Sequence, residues 1–358
     1  MRRVRAHSDQ CRDECRFRFL LPALRGWECG TCAEWDYPDF DVTIIYRNVR
    51  NETIQMAFEE AATRWESVVT GDLPSQRIPL IRKGPFTSDC KIGTLPRVVD
   101  DVLVCVRVGA IDGRRVVLAR ASTGYRRRHN GITVFGSMLF DEADLDWLLG
   151  SGQLKGIVLH EMGHVFGLNR VVWDKMGLIN NRDPSCHYKL NSAASRAWQN
   201  VTGCGPDVAV PIENEGGSGT ACSHFDEQCL RTELMTGFVS ALDLPLSVIT
   251  VGAMEDLGFT VNYTAADNYT NYACTSECEL PTRRRLLRQR SLLDDTGYQY
   301  AVQYGKEFLK NQTMESDETA RLIESEEGIE YVGDQYVSII YLDDVGTLQH
   351  VEVTADMT

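Results

Sequence analysis

The sequence predicts an α+β fold, a sheet packed against helices, and three observations predict it. A strand-like run, DVTIIYR, leads into a long amphipathic stretch, ETIQMAFEEAATRWESVV. Several apolar, alternating runs follow, separated by DG and HNG turns. A second helical stretch, SGQLKGIVLHEMGHVFGL, comes after them. With 358 residues, 43% of them hydrophobic and 25% charged, the chain can bury a sizeable core as one large domain with appendages or as two domains.

Residues 1–38 are basic and cysteine-rich without clear periodicity, and read as a pro-segment remnant or a disulfide-bonded cap. Their apolar part, FLLPAL, is too short and too late for an export signal. From Phe40 the pattern sharpens. Asn51 is placed as an N-cap, and Ile54, Phe58, Ala61, Ala62 and Trp65 share one face of the helix that follows, which stops at Gly71 and Pro74. The runs VVDDVLVCVRVGAI, RRVVLARAS and GITVFGSMLFD read as strands. Between Asn169 and Cys222 the chain is polar and rich in Asn, Gly, Pro and Cys, so short regular pieces are expected there. LPLSVITVGAMEDLGF is a third helix, with Ser247 as its cap and Gly258 near its end. After a basic linker, PTRRRLLRQR, the runs QYVSIIYL and LQHVEVTA form a hairpin in an acidic tail.

Charge and cysteine usage narrow the function. The formal net charge of -14 argues against nucleic acid as a partner, and most of the acid lies after Met314, as in a solvated tail. No run reaches the ~18 apolar residues that a membrane-spanning helix needs. Of the 12 cysteines, Cys11/Cys15, Cys29/Cys32, Cys222/Cys229 and Cys274/Cys278 fall as close pairs, with Cys90/Cys105 and Cys186/Cys204 more widely spaced. Sequons begin at Asn51, Asn200, Asn262, Asn268 and Asn311. Together these predict disulfides, glycosylation and a secreted or cell-surface protein.

HEMGHVFGLNR carries the chemistry. Residues four apart on a helix differ by about 40° in azimuth, so His160 and His164 can meet a single ion, while Glu161 reaches a water rather than the metal. That is the arrangement of a zinc hydrolase, with the carboxylate as base. Two buried histidines and a glutamate in an apolar helix without a metal would each need other partners. Gly167 can break the helix so that the chain turns under the metal. Arg170 stands where a third ligand often lies, and an always-charged guanidinium cannot ligate zinc. His187, His224 and His350 are the histidines that follow, and downstream carboxylates such as Glu255 are further candidates.

HEMGHVFG, a long cysteine-containing insertion, GGSGTACSH, ELMTG and then LSVITVGAMEDLGFTVNYTAAD, taken in this order, resemble the leishmanolysin family (peptidase family M8) of metzincin zinc peptidases. FDVTIIYRN, MAFEEAATRWESVVTGDLP and GSMLFDEADL look like further segments of that family, so the likeness runs from about Phe40 to Asp267. The resemblance implies a metzincin-like fold with a twisted mixed sheet and helices in an N-terminal subdomain, 39–168, and an irregular, disulfide-rich C-terminal subdomain, 169–268. Residues 269–290 then form a cysteine pair and linker, and 291–358 the acidic tail. It also implies one catalytic Zn²⁺ on His160, His164 and His224, Glu161 as general base, and Met235 in a methionine turn beneath the metal. The expected function is a zinc-dependent endopeptidase acting on proteins or peptides. The alternative is a non-catalytic adhesion or binding protein that keeps the metal for folding, and an enzyme with Glu255 as third ligand is a further one. Two segments depart from the family: the N-terminal region has no clear family pro-segment, though Cys29 is a candidate thiol for blocking the zinc in a latent form. The tail beyond Cys278 has no counterpart, its RRR and RQR reading as a linker or a processing site.

Overall fold

A computed structural model describes residues 2–5, 14–19, 25–30, 39–77, 90, 96, 98–114, 117–180, 186–214, 221–237, 244–272, 278, 296–313, 329–331, 336–342 and 348–354. Cys11, Cys32, Cys274, the arginine-rich linker and the acidic run 315–327 lie outside them.

In chain order the elements are β1 (Arg2–Arg5), β2 (Glu14–Phe19), β3 (Arg25–Gly30), β4 (Val42–Arg47), α1 (Glu52–Val68), β5 (Gln76–Arg77), β6 (Val98–Val99), β7 (Val102–Gly109), β8 (Val117–Arg127) and β9 (Thr133–Asp141). Then come α2 (Leu145–Ser151), α3 (Leu154–Phe166), α4 (Arg170–Lys175), β10 (Ile179–Asn180), β11 (His187–Tyr188), α5 (Ala193–Thr202), α6 (Glu227–Leu230) and α7 (Val248–Asp256). The tail supplies α8 (Thr296–Thr313), β12 (Ile329–Tyr331), β13 (Tyr336–Leu342) and β14 (Leu348–Thr354).

One mixed sheet organises the molecule, in the order β14-β13-β8-β9-β7-β4-β1-β2-β3, with β12 also on β8. β4, β7 and β9 run parallel, and β8 returns antiparallel to β9. β7 and β9 are buried along almost their whole length, as inner strands covered on both faces must be. The N-terminal segment contributes strands: ECRFRF and RGWECG pair as β2 and β3, and β1 runs parallel to β4. Their alternation is short and was hidden among cysteines and arginines.

α1 forms where the sequence places it. Asn51 accepts from the Thr53 N–H at 2.8 Å, and Ile54, Ala57, Phe58, Ala61, Ala62, Trp65 and Val68 are its buried face. That face meets α3 through Trp65, whose indole N–H donates to the Leu159 carbonyl at 3.1 Å and whose ring stands edge-on to Phe166 at 5.3 Å. At Gly136 in β9, an added Cβ would stand 2.6 Å from Val165 Cγ1 and 2.7 Å from the Ser122 carbonyl, so glycine there lets α3 lie close on the sheet.

The 169–222 segment has the short pieces expected of it, α4, β10, β11 and α5. Disulfides join Cys90 to Cys105, Cys186 to Cys222 and Cys229 to Cys278, and Cys204 is bonded too. Proximity in sequence thus matches a bond at Cys90/Cys105, whereas Cys222 and Cys229 each reach to a different partner.

The tail is built into the fold, unlike a solvated appendage. β13 and β14 form an antiparallel hairpin, and β13 pairs antiparallel with β8. Val337, Ile339 and Tyr341 pack with Tyr298, Ala301 and Leu309 of α8, whereas Ile340 joins the main core. The period-2 pattern of YVSIIYL, apolar on both faces, suits a strand covered on both sides, and β8 offers the edge.

Candidate metal centre

α3 presents His160, Glu161 and His164, all wholly buried. The helix ends at Gly167, whose φ of 112° lies in the left-handed region and whose N–H bonds the carbonyls of Gly163 and His164. Asn169 sustains the turn: its amide donates to the His164 carbonyl at 3.2 Å and its side-chain oxygen caps α4 by accepting from the Val172 N–H at 2.9 Å. Arg170 is the first residue of α4 and is half-buried.

The third histidine comes from the far side of the insertion. Cys222, tied to Cys186, adopts φ 73°, and two residues on, His224 is wholly buried. His224 is held through its backbone, its carbonyl accepting from the Glu213 N–H at 2.9 Å. His164 Nε2 lies 2.9 Å from His160 Nε2 and 3.1 Å from His224 Nε2. His187 stands exposed in β11, and Glu255 is exposed and accepts from the Tyr263 hydroxyl at 2.6 Å. His350 lies in β14, opposite Ile340. Neither His187 nor Glu255 is brought to the histidine group.

The tautomers follow from the hydrogen bonds. His160 Nδ1 donates to the Leu234 carbonyl and His164 Nδ1 to the Leu168 carbonyl, each at 2.6 Å. Both Nε2 atoms therefore carry lone pairs and point at each other. Burial pushes His160 down to about 4 against its Leu234 bond, and burial with the neighbouring His160 and His224 holds His164 well below its ordinary value. Three convergent imidazole nitrogens in a buried site fit a divalent cation of borderline softness. Among the described residues the other such group is Asp41, Asp100 and Asp101, which hold the start of the sheet.

Met235 lies beneath α3: a Cβ added at Gly163 would stand 2.8 Å from its Sδ and 3.2 Å from Trp65 Cζ2. The turn that carries it is pinned by Glu233, whose buried carboxylate accepts from the N–H of Met235 at 2.7 Å, the N–H and hydroxyl of Ser247 at 3.1 and 2.8 Å, and the Thr250 hydroxyl at 2.5 Å. Burial pushes that carboxyl up and the donors pull it back. Because Leu234 between them accepts from His160, the turn also fixes a ligand's tautomer.

Glu161 Oε2 accepts from the Ser338 hydroxyl of β13 at 2.6 Å. Burial raises its carboxyl to about 8, against the effect of that bond. Sequence reasoning missed Asn169, Glu233 and Ser338. Asparagine after a helix-ending glycine is an N-cap signal and could have been found, and the acid of ELMTG was in view. Ser338, 177 residues from its partner, leaves no local signal.

The leishmanolysin family of M8 peptidases matches residues 101–290, just over half of the chain, from the start of β7 through the segment beyond Cys278. No curated protein matches the chain.

Proposed function

The chain belongs to the leishmanolysin family of metallopeptidases, and from that premise we propose that it is a zinc-dependent endopeptidase with His160, His164 and His224 as metal ligands and Glu161 as general base. The observation that carries this reading is the convergence of three histidine nitrogens beside a glutamate of the same helix. A structural metal needs no base beside it.

Zinc held by His160, His164 and His224 would supply Lewis acidity at the scissile carbonyl and would lower the pKa of the attacking water toward about 7. Glu161 accepts that water's proton at its carboxylate and delivers it to the leaving amine. Its burial in an apolar helix strengthens each electrostatic interaction there. The His160–Leu234 and His164–Leu168 hydrogen bonds hold the imidazoles in the tautomer that leaves Nε2 free to donate its lone pair. Met235 packs against α3 at Gly163 and keeps the third-ligand turn in register with the first two ligands. Thr123 of β8 donates to the His164 and Val165 carbonyls at 3.2 and 3.0 Å and Thr133 of β9 to the Val165 carbonyl at 2.9 Å; β9 is enclosed between β8 and β7, so the outer side of β8 is the place for an extended peptide.

The disulfides support the companion reading of a secreted or cell-surface protein. Asn51, Asn200 and Asn268 are exposed, as glycan acceptors must be. Among the described residues no helix is long and apolar enough to cross a membrane.

A second reading, a non-catalytic metal-holding binding protein, is favoured by one observation: all three histidines and Glu161 are wholly buried. Glu161→Gln separates the two. With zinc-loaded protein and a casein or quenched-fluorescent peptide assay, the substitution should lower kcat by about two to four orders of magnitude with zinc content unchanged. Full activity in the variant would discard Glu161 as base, and an inactive parent carrying stoichiometric zinc after its tail is loosened would favour the second reading.

A further inference from the structure

The tail closes the edge on which a peptide should lie. β13 pairs with β8 through Ser338 opposite Ala121, Ile339 opposite Arg120, Ile340 opposite Ala119 and Tyr341 opposite Val117. β12 continues along the same edge, with Ile329, Glu330 and Tyr331 opposite Arg127, Arg126 and Tyr125. Both pairings are antiparallel, so β12 and β13 run in the same direction against the two ends of β8.

We propose that the β12–β13 segment is an internal competitor for the peptide slot, and that the full chain is held closed until this strand leaves the edge of β8. The inference rests on the endopeptidase reading above and adds regulation to it. Three independent features of the tail support it. Ser338 is the polar member of an otherwise apolar buried run, Val337 to Tyr341, and it stands where Glu161 needs a donor. An apolar residue there would take that donor away from a wholly buried carboxyl, at the cost of one buried hydrogen bond. The strand's other face is clamped by α8: a Cβ at Gly305 would stand 2.5 Å from Val353 Cγ2 and 3.0 Å from Ile339 Cδ1, so the helix is fitted to the hairpin at contact distance. Charge agrees as well, since the register sets Glu330 of β12 opposite Arg126 of β8.

The consequence is kinetic. A strand tethered in the same chain acts at an effective concentration in the millimolar range, above that of most peptides in solution. Apparent activity is then the intrinsic activity multiplied by the fraction of molecules whose strand is out.

The test uses the zinc-loaded full chain and two substitutions outside the ligand set. Ile340→Pro removes a ladder N–H and breaks the pairing with Ala119, and Gly305→Val wedges α8 off the hairpin from the side away from Glu161. Three quantities are read: hydrogen exchange of the Val117–Ala121 amides, hydrolysis of a quenched-fluorescent peptide mixture, and the rate at which 1,10-phenanthroline strips zinc. In both variants the β8 amides should exchange faster, and hydrolysis and zinc loss should each rise at least about tenfold, as an open fraction below a tenth requires. A synthetic peptide of residues 329–342 added to Ile340→Pro should slow both rates again. Faster exchange in β8 with neither rate changed would overturn the proposal, because the strand would then be sheet and nothing more. Faster zinc loss with no hydrolysis in any variant would uphold the covering strand and sink the endopeptidase reading instead.

Discussion

At the scale of single residues, the choice between His224 and the other downstream histidines is the sharpest question. His224 is buried with its Nε2 3.1 Å from His164 Nε2, whereas His187 is exposed in a two-residue strand. Removing a nitrogen donor from a three-histidine set leaves two, too few to hold zinc against solvent. His224→Ala is therefore expected to purify with less than about a tenth of the parent's zinc. His187→Ala should keep its zinc in full. Metal content by atomic absorption decides it, and retention of zinc by His224→Ala would remove that residue from the site. HEMGH was legible at this scale because spacing alone puts two imidazoles on one helix face. His224 was legible only through the surrounding pattern, since a single histidine sixty residues on carries no periodicity. Glu233 and Ser338 were illegible as partners, because a buried hydrogen bond is specified by the fold and not by its neighbours in sequence.

Helices and strands follow local rules more faithfully, and here the sequence was a good guide wherever one face is apolar. Asn51, Ser247, Gly167 and Gly258 do at α1, α7 and the end of α3 what their residue types favour. β6 and β7 read as one run, yet break at Asp100 and Asp101, because Asp101 turns to accept from the Asp41 and Leu73 N–H groups, each at 2.7 Å. Packing between elements was less visible. A Cβ on Gly252 of α7 would stand 2.8–2.9 Å from the backbone of Ala193 and Ala194 at the start of α5. There is no flexible side chain there to yield, so Gly252→Ala must separate the two helices and disturb the bond that the Ala193 N–H donates to the Asp256 carboxylate at 2.6 Å. The expected destabilisation is about 1–3 kcal/mol, measured as a shift of the urea midpoint at constant m. Neutral or greater stability in that variant would mean that the α5–α7 contact has slack. The gain in helix propensity from glycine to alanine, about 1 kcal/mol, works the other way and sets the threshold.

For the molecule as a whole, the α+β architecture was legible from the order of strands and helices, while the role of the tail as two further strands on β8 was not. Edge pairing between segments two hundred residues apart is decided by which edge is open, and no local pattern records that. The same compact burial makes a global prediction about pH. Burial pushes Asp101 up to about 8 and Asp112 up to about 6, and raises Asp256 as well, in each case against backbone hydrogen bonds that work to lower it. A carboxyl whose pKa is higher folded than unfolded keeps a proton on folding that the unfolded chain releases. Its contribution to stability is full below the unfolded value of about 4 and is lost as pH rises through the folded value. The share of metal-free stability that these carboxyls supply should therefore shrink from about pH 4 upward, with the Asp112 share gone near 6 and the Asp101 share gone near 8, whereas the buried His160, held down to about 4, works the other way below its unfolded value of about 6.5. Asp101→Asn fixes a neutral side chain at the centre of that effect, keeping an acceptor for one of the two N–H groups that Asp101 binds. Its urea midpoint should start lower than the parent's at pH 5, for the acceptor it loses, and fall less steeply between pH 5 and 8.5. Parallel pH profiles for parent and variant would show that Asp101 is ionised throughout and that its backbone donors outweigh its burial.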